Sequence, residues 1–442
     1  MLHLFSNRTF ARLFAAQVVA LLGTGLMTVA LALLAYDLAG ADAGKVLGTA
    51  LAIKMVAYVG LSPLAAALFG HLPRRAVLVA ADLVRAGAAL SLPFLAEVWQ
   101  VYLAIFVLQA ASASFTPTFQ ATIPDVLPEE EDYTRALSLS RLAYDLENLL
   151  SPAIAGLLLS LMGFHWLFAG TVAGFLLSAM LVMASAIPAA EKGKARGFRD
   201  RLVRGTWIYL STPRLRGLLA LNLAAASAAA FVLVNSVVLV RSTYGQDERA
   251  LALAMACFGL GSMAVALALP RVLARTGDRL VMFAAAALLG GVHLVAGLVQ
   301  ARTGWFPWPA LLVLWGLSGA FYTAVLTPSG RLLRRSAHAE DRPAVFTAQF
   351  ALSHACWLLT YTLAGWGTDL LGLAGIMALL GGLSLAGTGL ALILWPGATS
   401  QEIEHAHPDL PDDHPHLMGA QAHRHRHAVV IDDEHRAWPT QG

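Results

Sequence analysis

Charge is scarce in this chain. Asp, Glu, Lys and Arg make up 13% of its 442 residues, while 58% are hydrophobic. A soluble globular domain carries about 25% charged residues, so an ordinary water-soluble fold is excluded and the chain belongs in a bilayer. Cysteine is scarcer still. Cys257 and Cys356 both fall inside apolar runs, which excludes a disulfide framework. The formal net charge is only +3 and the basic residues are spread between apolar runs, which argues against nucleic-acid binding. There is no Gly-rich phosphate loop and no nucleophile motif, so an ATP-driven pump and a membrane enzyme both lack support. A cleavable signal-peptide pattern is also missing, because the first apolar run is too long.

What the chain does have is long apolar runs. A membrane span needs about 20 mostly apolar residues. Twelve stretches qualify: 13–36, 46–70, 76–96, 99–123, 136–161 and 164–187, then 215–240, 250–270, 280–300, 308–330, 344–367 and 371–395. They predict an all-α membrane protein of two six-helix halves, residues 1–188 and 215–396. Between the halves, residues 189–214 form a basic linker. Within it FRDRLVRGTWIYL alternates basic and apolar residues at helical spacing, the pattern of an amphipathic helix on a membrane surface. Residues 397–442 form a polar tail whose composition predicts disorder.

Lys and Arg set topology. With the N-terminus inside, the inner loops hold Arg74, Arg75, Arg135, the linker cluster, Arg271, Arg275, Arg279, Arg331, Arg334, Arg335 and Arg342. The outer loops hold only Lys45, Arg241, Arg249 and Arg302. Both termini are therefore expected to be cytoplasmic.

The fifth span is anomalous. RLAYDLENLLSPAIAG, from Arg141 to Gly156, carries Asp145, Glu147 and Asn148 before Ser151-Pro152. A charge near the bilayer centre costs roughly 2.5–3.5 kcal/mol on insertion scales. Two acids within three residues need partners, protons or water, and such residues mark pathways and proton relays. Counting helical rise places Glu147 near the midplane. Lys54 in the second span has a side chain long enough to approach it. Lys54 with Glu147 or Asp145 is the expected intramembrane pair, the alternative being a static salt bridge.

The loops between spans 2 and 3 (FGHLPRRAVL) and between spans 8 and 9 (PRVLARTGDRLVM) bear Arg at matching places. Here the chain resembles the major facilitator superfamily, whose loops at these positions carry a G-x-x-x-D-R-x-G-R-R type motif. Gly277, Asp278 and Arg279 fit part of it. In the first half Arg74 and Arg75 remain, but Gly70 and His71 stand where Asp and Arg are expected. In the family that Asp latches the cytoplasmic side, so these five residues are the gating candidates. ADLVRAG (Asp82, Arg85), PTFQATIPDVLPEEE and the partial G-P-x-x-G-G match at Ser151 to Gly156 resemble its exporter branch. The span-4 Arg of proton-coupled exporters is replaced by Gln109-Ala110-Ala111-Ser112. The resemblance implies a secondary transporter working by alternating access, with Glu147, Asp145, Lys54, Asn148, Arg141 and His354 as candidates for transport and proton coupling.

Asp82 and Arg85, three apart, read as structural. His354 is either a packing residue or part of a proton relay. Asn222 and Asn235 read as helix-to-helix glue or cavity groups. Met255, Cys257 and Met263 read as packing rather than soft metal ligands. Pro63, Pro93, Pro117, Pro152 and Pro328 mark bends.

The tail is rich in histidine: His405, His407, His414, His416, His423, His425, His427 and His435. Such tracts read as metal binding, because imidazole suits Zn, Ni and Cu. A transporter body with this tail resembles bacterial nickel-resistance exporters. The leading expectation is a proton-coupled exporter of Ni²⁺, with Co²⁺ second, in the bacterial cytoplasmic membrane. It is expected to be a monomer without cofactor, its partners being the substrate, protons and lipid. The alternatives are an exporter of amphipathic drugs or siderophores, and a non-transporting metal sensor or scaffold.

Overall fold

Within a bilayer every backbone N–H and C=O must find a partner inside the protein, so long apolar runs fold as helices. The computed structural model describes residues 2–39, 43–189, 196–397, 402–406 and 424–438. The first half is six helices: α1 (Arg8–Ala39), α2 (Ala43–Phe69), α3 (Arg74–Ser91), α4 (Val98–Val126), α5 (Glu130–Leu159) and α6 (His165–Met183). The linker forms α7 (Phe198–Ser211). The second half is α8 (Pro213–Val238), α9 (Glu248–Leu273), α10 (Asp278–Thr303), α11 (Trp308–Leu326), the short α12 (Ser329–Arg335) and α13 (Arg342–Leu394).

At 1.5 Å per residue an unbroken α13 would reach about 80 Å, against a hydrocarbon core of about 30 Å. It breaks at Gly372, where φ is 67° and ψ is 170°, a backbone conformation open to glycine. α13 therefore makes two passes. Among the described residues ten helices are long and apolar enough to cross a membrane. The charge-bearing α5 lies outside that set, and α13 enters it once. Adding both gives the twelve crossings expected from the sequence.

Lipid supplies no hydrophobic force between helices, so close approach of backbones holds the bundle together. A Cβ on Gly174 of α6 would stand 2.7 Å from the Val19 carbonyl oxygen of α1. Beside it Thr171 donates to the Gly23 carbonyl at 2.8 Å. In the second half Gly297 and Gly381 play the same part between α10 and the second arm of α13, against Ala378 and Leu294. Asn235 glues α8 to α13, donating to the Ala364 carbonyl at 3.1 Å and accepting from Thr368 at 2.9 Å. Asp82 and Arg85 stay within the first half. Ser178 donates to Asp82 at 2.8 Å, and the Arg85 guanidinium lies between the Phe115 and Phe175 rings.

The tail departs from the expected disorder at its end. Strands β1 (Glu402–Ala406) and β2 (Arg424–Ala428) pair antiparallel with His405 opposite His425. Beyond them Val429, Ile431 and His435 are buried. Asp433 receives two bonds of 3.0 Å from Arg196 and one of 2.9 Å from Arg204. These bonds, Arg196 first, hold its carboxyl at about 2. His338 bonds Asp432 at 3.2 Å, which raises the imidazole above its usual value. Ile431 joins a core that includes Ile208, Tyr209 and Trp395. Composition averages over the tail and so hides this short apolar and acidic anchor. His407, His414, His416 and His423 lie outside the described residues.

Candidate substrate and coupling site

Helical spacing puts Arg141 and Asp145 on one face of α5, and they form an ion pair of 2.8 Å. Asp145 is almost fully buried, at 3% exposed. It accepts a hydrogen bond of 2.5 Å from Ser262 of α9 in the other half. Arg141 donates to the same Ser262 oxygen at 3.1 Å and lies 4.9 Å from the centre of the Tyr322 ring of α11. Thr323 contacts Ser262 in turn. Asp145 is thus held by Arg141 and by the second half, so the expectation of a pair with Lys54 is corrected for this acid. An arginine one helical turn away reaches Asp145 directly.

Glu147 points elsewhere. It is partly buried and forms no ion pair among the described residues, and Lys54 supplies the opposite charge that acts on it. Gly25 of α1 lies against Glu147 and Ser151. The Lys54 ammonium is 5.7 Å from the centre of the Tyr58 ring. Tyr58 donates to Gln109 at 2.9 Å, and its ring meets those of His354 and Phe350 at 4.7 and 4.8 Å. Nδ1 of His354 bonds the Phe350 carbonyl at 2.7 Å, and its ring also feels the Lys54 charge. Asn148 lies on α5, with its side chain outside the described residues.

Sequence reasoning missed several members of this cluster. Gln17 of α1 receives a bond of 3.0 Å from Ser140 and bonds Tyr144. Tyr322, Trp357 and Tyr361 form an aromatic row, with ring centres 6.1 and 4.9 Å apart. Gln17, Tyr58 and Gln109 were detectable as polar groups inside apolar runs. Ser262 gave no signal, since a lone serine in a span is ordinary.

A second layer of ion pairs joins the halves on the face that carries the N-terminus and α7. Arg74, the first residue of α3, pairs with Asp125 at 2.5 Å, and Asp125 also holds Arg342 of the second half at 2.6 Å. Asp278, the first residue of α10, pairs with Arg331 at 3.1 Å and Arg335 at 2.9 Å. Glu130 of the first half holds Arg331 at 2.5 Å and also pairs with Arg335. The Arg74–Asp125–Arg342 triad and the four-residue Asp278–Arg331–Arg335–Glu130 cluster occupy equivalent places in the two halves with their charges inverted. Asp125 thus gives Arg74 a carboxylate partner, where Gly70 and His71 carry none. Arg75 donates to the Ser185 carbonyl at 2.7 Å, and Arg279 to the Trp395 carbonyl at 3.1 Å. Gly277 precedes α10 in extended backbone. The ion pairs named between the halves lie on this face, and the bonds of Arg141 and Asp145 to Ser262 join the halves as well.

This arrangement matches a known family. The model described as Major Facilitator Superfamily matches residues 13–238, just over half the chain. The chain belongs to the major facilitator superfamily. Its apolar helices make it a multi-pass membrane protein of that family. Macrolide efflux protein A of Streptococcus pyogenes is 26% identical over 184 residues, 40% of this chain and 45% of that protein. The uncharacterized MFS-type transporter YfiS of Bacillus subtilis is 25% identical over 249 residues, 54% of this chain and 59% of that protein. The matched stretch thus spans about half the length of these relatives. In fold, the human organic anion transporter MFSD10 (TETRAN) superposes with a TM-score of 0.72 at 14% identity, covering 87% of this chain and 99% of that one. A variant of the Escherichia coli fucose:proton symporter FucP gives 0.69 at 15% identity, covering 87% and 98%.

Within this superfamily member, breaking the Arg141–Asp145 pair has a calculable effect. Arg141→Met leaves a buried carboxylate without its cation and should cost about 3–5 kcal/mol of stability. Arg141→Met with Asp145→Asn should recover most of that loss. Thermal unfolding in detergent checks both. Equal stability of the single variant and the wild type would show that the pair is not formed.

Proposed function

We propose that this transporter is a proton-coupled exporter of amphipathic organic compounds, working by alternating access. In this reading it acts as a monomer in the bacterial cytoplasmic membrane with both termini inside. The observation that carries it is Glu147, an acid within the bilayer that has no ion pair among the described residues and is acted on by the charge of Lys54, whose ammonium lies over the Tyr58 ring of the Tyr58–His354–Phe350 cluster. An acid so placed binds a proton or a cationic group of the substrate in turn, which is a coupling device. Lys54 tunes it, and the aromatic side chains supply flat apolar surface for an organic body. Asp145 and Arg141 serve as the junction between the halves. The efflux relatives support the direction of transport.

The nickel reading rests on the histidine tail. Among the described residues no group of three or more His, Cys, Asp or Glu could hold a metal ion, and Asp145 is taken by Arg141 and Ser262 while His354 bonds the Phe350 carbonyl. Imidazole and carboxylate donors that do not converge make a poor site for a bare divalent ion. The organic substrate is therefore preferred over Ni²⁺ or Co²⁺.

Growth of an efflux-deficient host on gradients of a macrolide, a cationic dye, Ni²⁺ and Co²⁺ tests this. The wild type should raise tolerance to the organic compounds, and a chain ending at Pro396 should leave metal tolerance unchanged. Protection against Ni²⁺ alone, lost in the shortened chain, would overturn the organic reading.

A further inference from the structure

A cavity of about 1160 Å³ opens on the face that carries α7, and Glu147 is not part of its wall. Its walls come from both halves and the linker. Ala65, Phe69, Pro117 and Ile187 make one side apolar, while Arg74, Arg75 and Arg201 line the other. The acids nearby are largely engaged. Asp341 takes Arg204 at 2.8 Å, Asp433 takes Arg196 and Arg204, and Asp125 takes Nη1 of Arg74. Glu340, also in the wall, is the acid that remains.

Several donors are left over. The Arg74 side chain is only 5% exposed, yet its Nε and Nη2 have no partner. Nε of Arg201 is likewise buried and unpartnered. Arg75 bonds a neutral carbonyl, so its charge is not neutralised there. A guanidinium does not shed its proton, and buried N–H groups require acceptors. Several fixed guanidinium donors beside an apolar wall match an anion with several acceptor oxygens.

We infer that this cavity is a binding site for a phosphate-bearing anion. The phosphate oxygens accept from Arg74 and Arg201, and the apolar wall takes any attached chain. The phosphate comes from an acidic lipid of the adjacent leaflet or from free solution. Because the walls belong to α2–α4, α7 and the start of α13, the occupant ties both halves to the linker and favours closure of this face.

The test uses the purified full-length chain in detergent. Native mass spectrometry compares retention of phosphatidylglycerol and phosphatidylcholine, and thermal unfolding is followed with and without inorganic phosphate. Wild type should retain the anionic lipid in preference or be stabilised by phosphate, the first result assigning a headgroup and the second a free anion. Losing one charge-assisted bond in Arg201→Gln should weaken the effect by roughly tenfold. Arg201 stands outside the ion-pair clusters, so its variant should fold normally. Arg74→Gln gives a second reading of the same donors. Equal retention of both lipids with no phosphate effect, or an unchanged preference in Arg201→Gln, would overturn the assignment.

Discussion

Glu147→Gln is expected to abolish drug efflux while leaving a folded protein that still binds its substrate. Glutamine has nearly the same shape as glutamate but cannot carry a proton. The side chain forms no ion pair among the described residues, so no bonded partner is stranded and Lys54 loses only a charge that acts on it without a bond; stability should change by about 1 kcal/mol or less. The loss therefore falls on coupling rather than on folding. Active export needs the acid to release its proton when substrate arrives and to regain it later, and the amide does neither. Lys54→Met should weaken export less, because lysine acts on Glu147 from a distance rather than through a bond. Accumulation of a fluorescent dye in energised cells checks both variants at matched expression. Wild-type efflux by Glu147→Gln would move the coupling role to another residue, with Asp145 the next to test.

The second large effect concerns the face where ion-pair clusters of inverted charge join the halves. Asp125→Asn removes the acid shared by Arg74 and Arg342. The Arg74 side chain is almost fully buried, and stranding a buried charge costs about 3–5 kcal/mol. That penalty falls on the conformer closed at this face, so the population should shift towards the open one by a factor of roughly a hundred or more. The shift is readable at Leu137, which packs closely against Gly330 of the other half. Leu137→Cys, in a background without Cys257 and Cys356, should react with maleimide at least about tenfold faster once Asp125→Asn is added. Glu130→Gln should act in the same direction but more weakly, because Glu130 is 43% exposed and its pairs are screened. Unchanged labelling in Asp125→Asn would show that the triad does not hold the halves together.

The twelve crossings were legible because a bilayer allows so few backbone solutions that apolar length alone locates helices. Even α5 was legible as a span, although its charge sets it apart from the other helices. The break at Gly372 was legible as two adjacent spans, whereas its geometry was not. The site was legible in part. Glu147, Lys54 and His354 stood out because polar groups are costly in lipid. Their partners did not, because pairing depends on which helix faces which. Arg141 lay one turn from Asp145, a spacing that helix geometry permits, yet the choice between Arg141 and Lys54 required the packed halves. The ion-pair clusters were half visible. The Arg residues were plain, but Asp125 sits at the end of α4, far in sequence from the loop it completes. The anchor in the tail was hidden for the opposite reason, since a few apolar residues vanish in a polar average.

Proton release on substrate binding measures the central claim most directly. Purified wild-type protein in unbuffered detergent solution near neutral pH is mixed with a macrolide or cationic dye while the pH is recorded. The wild type should release protons on binding, and Glu147→Gln should bind without release. Equal release from both proteins, or binding by the wild type with no change in pH, would contradict proton exchange at Glu147.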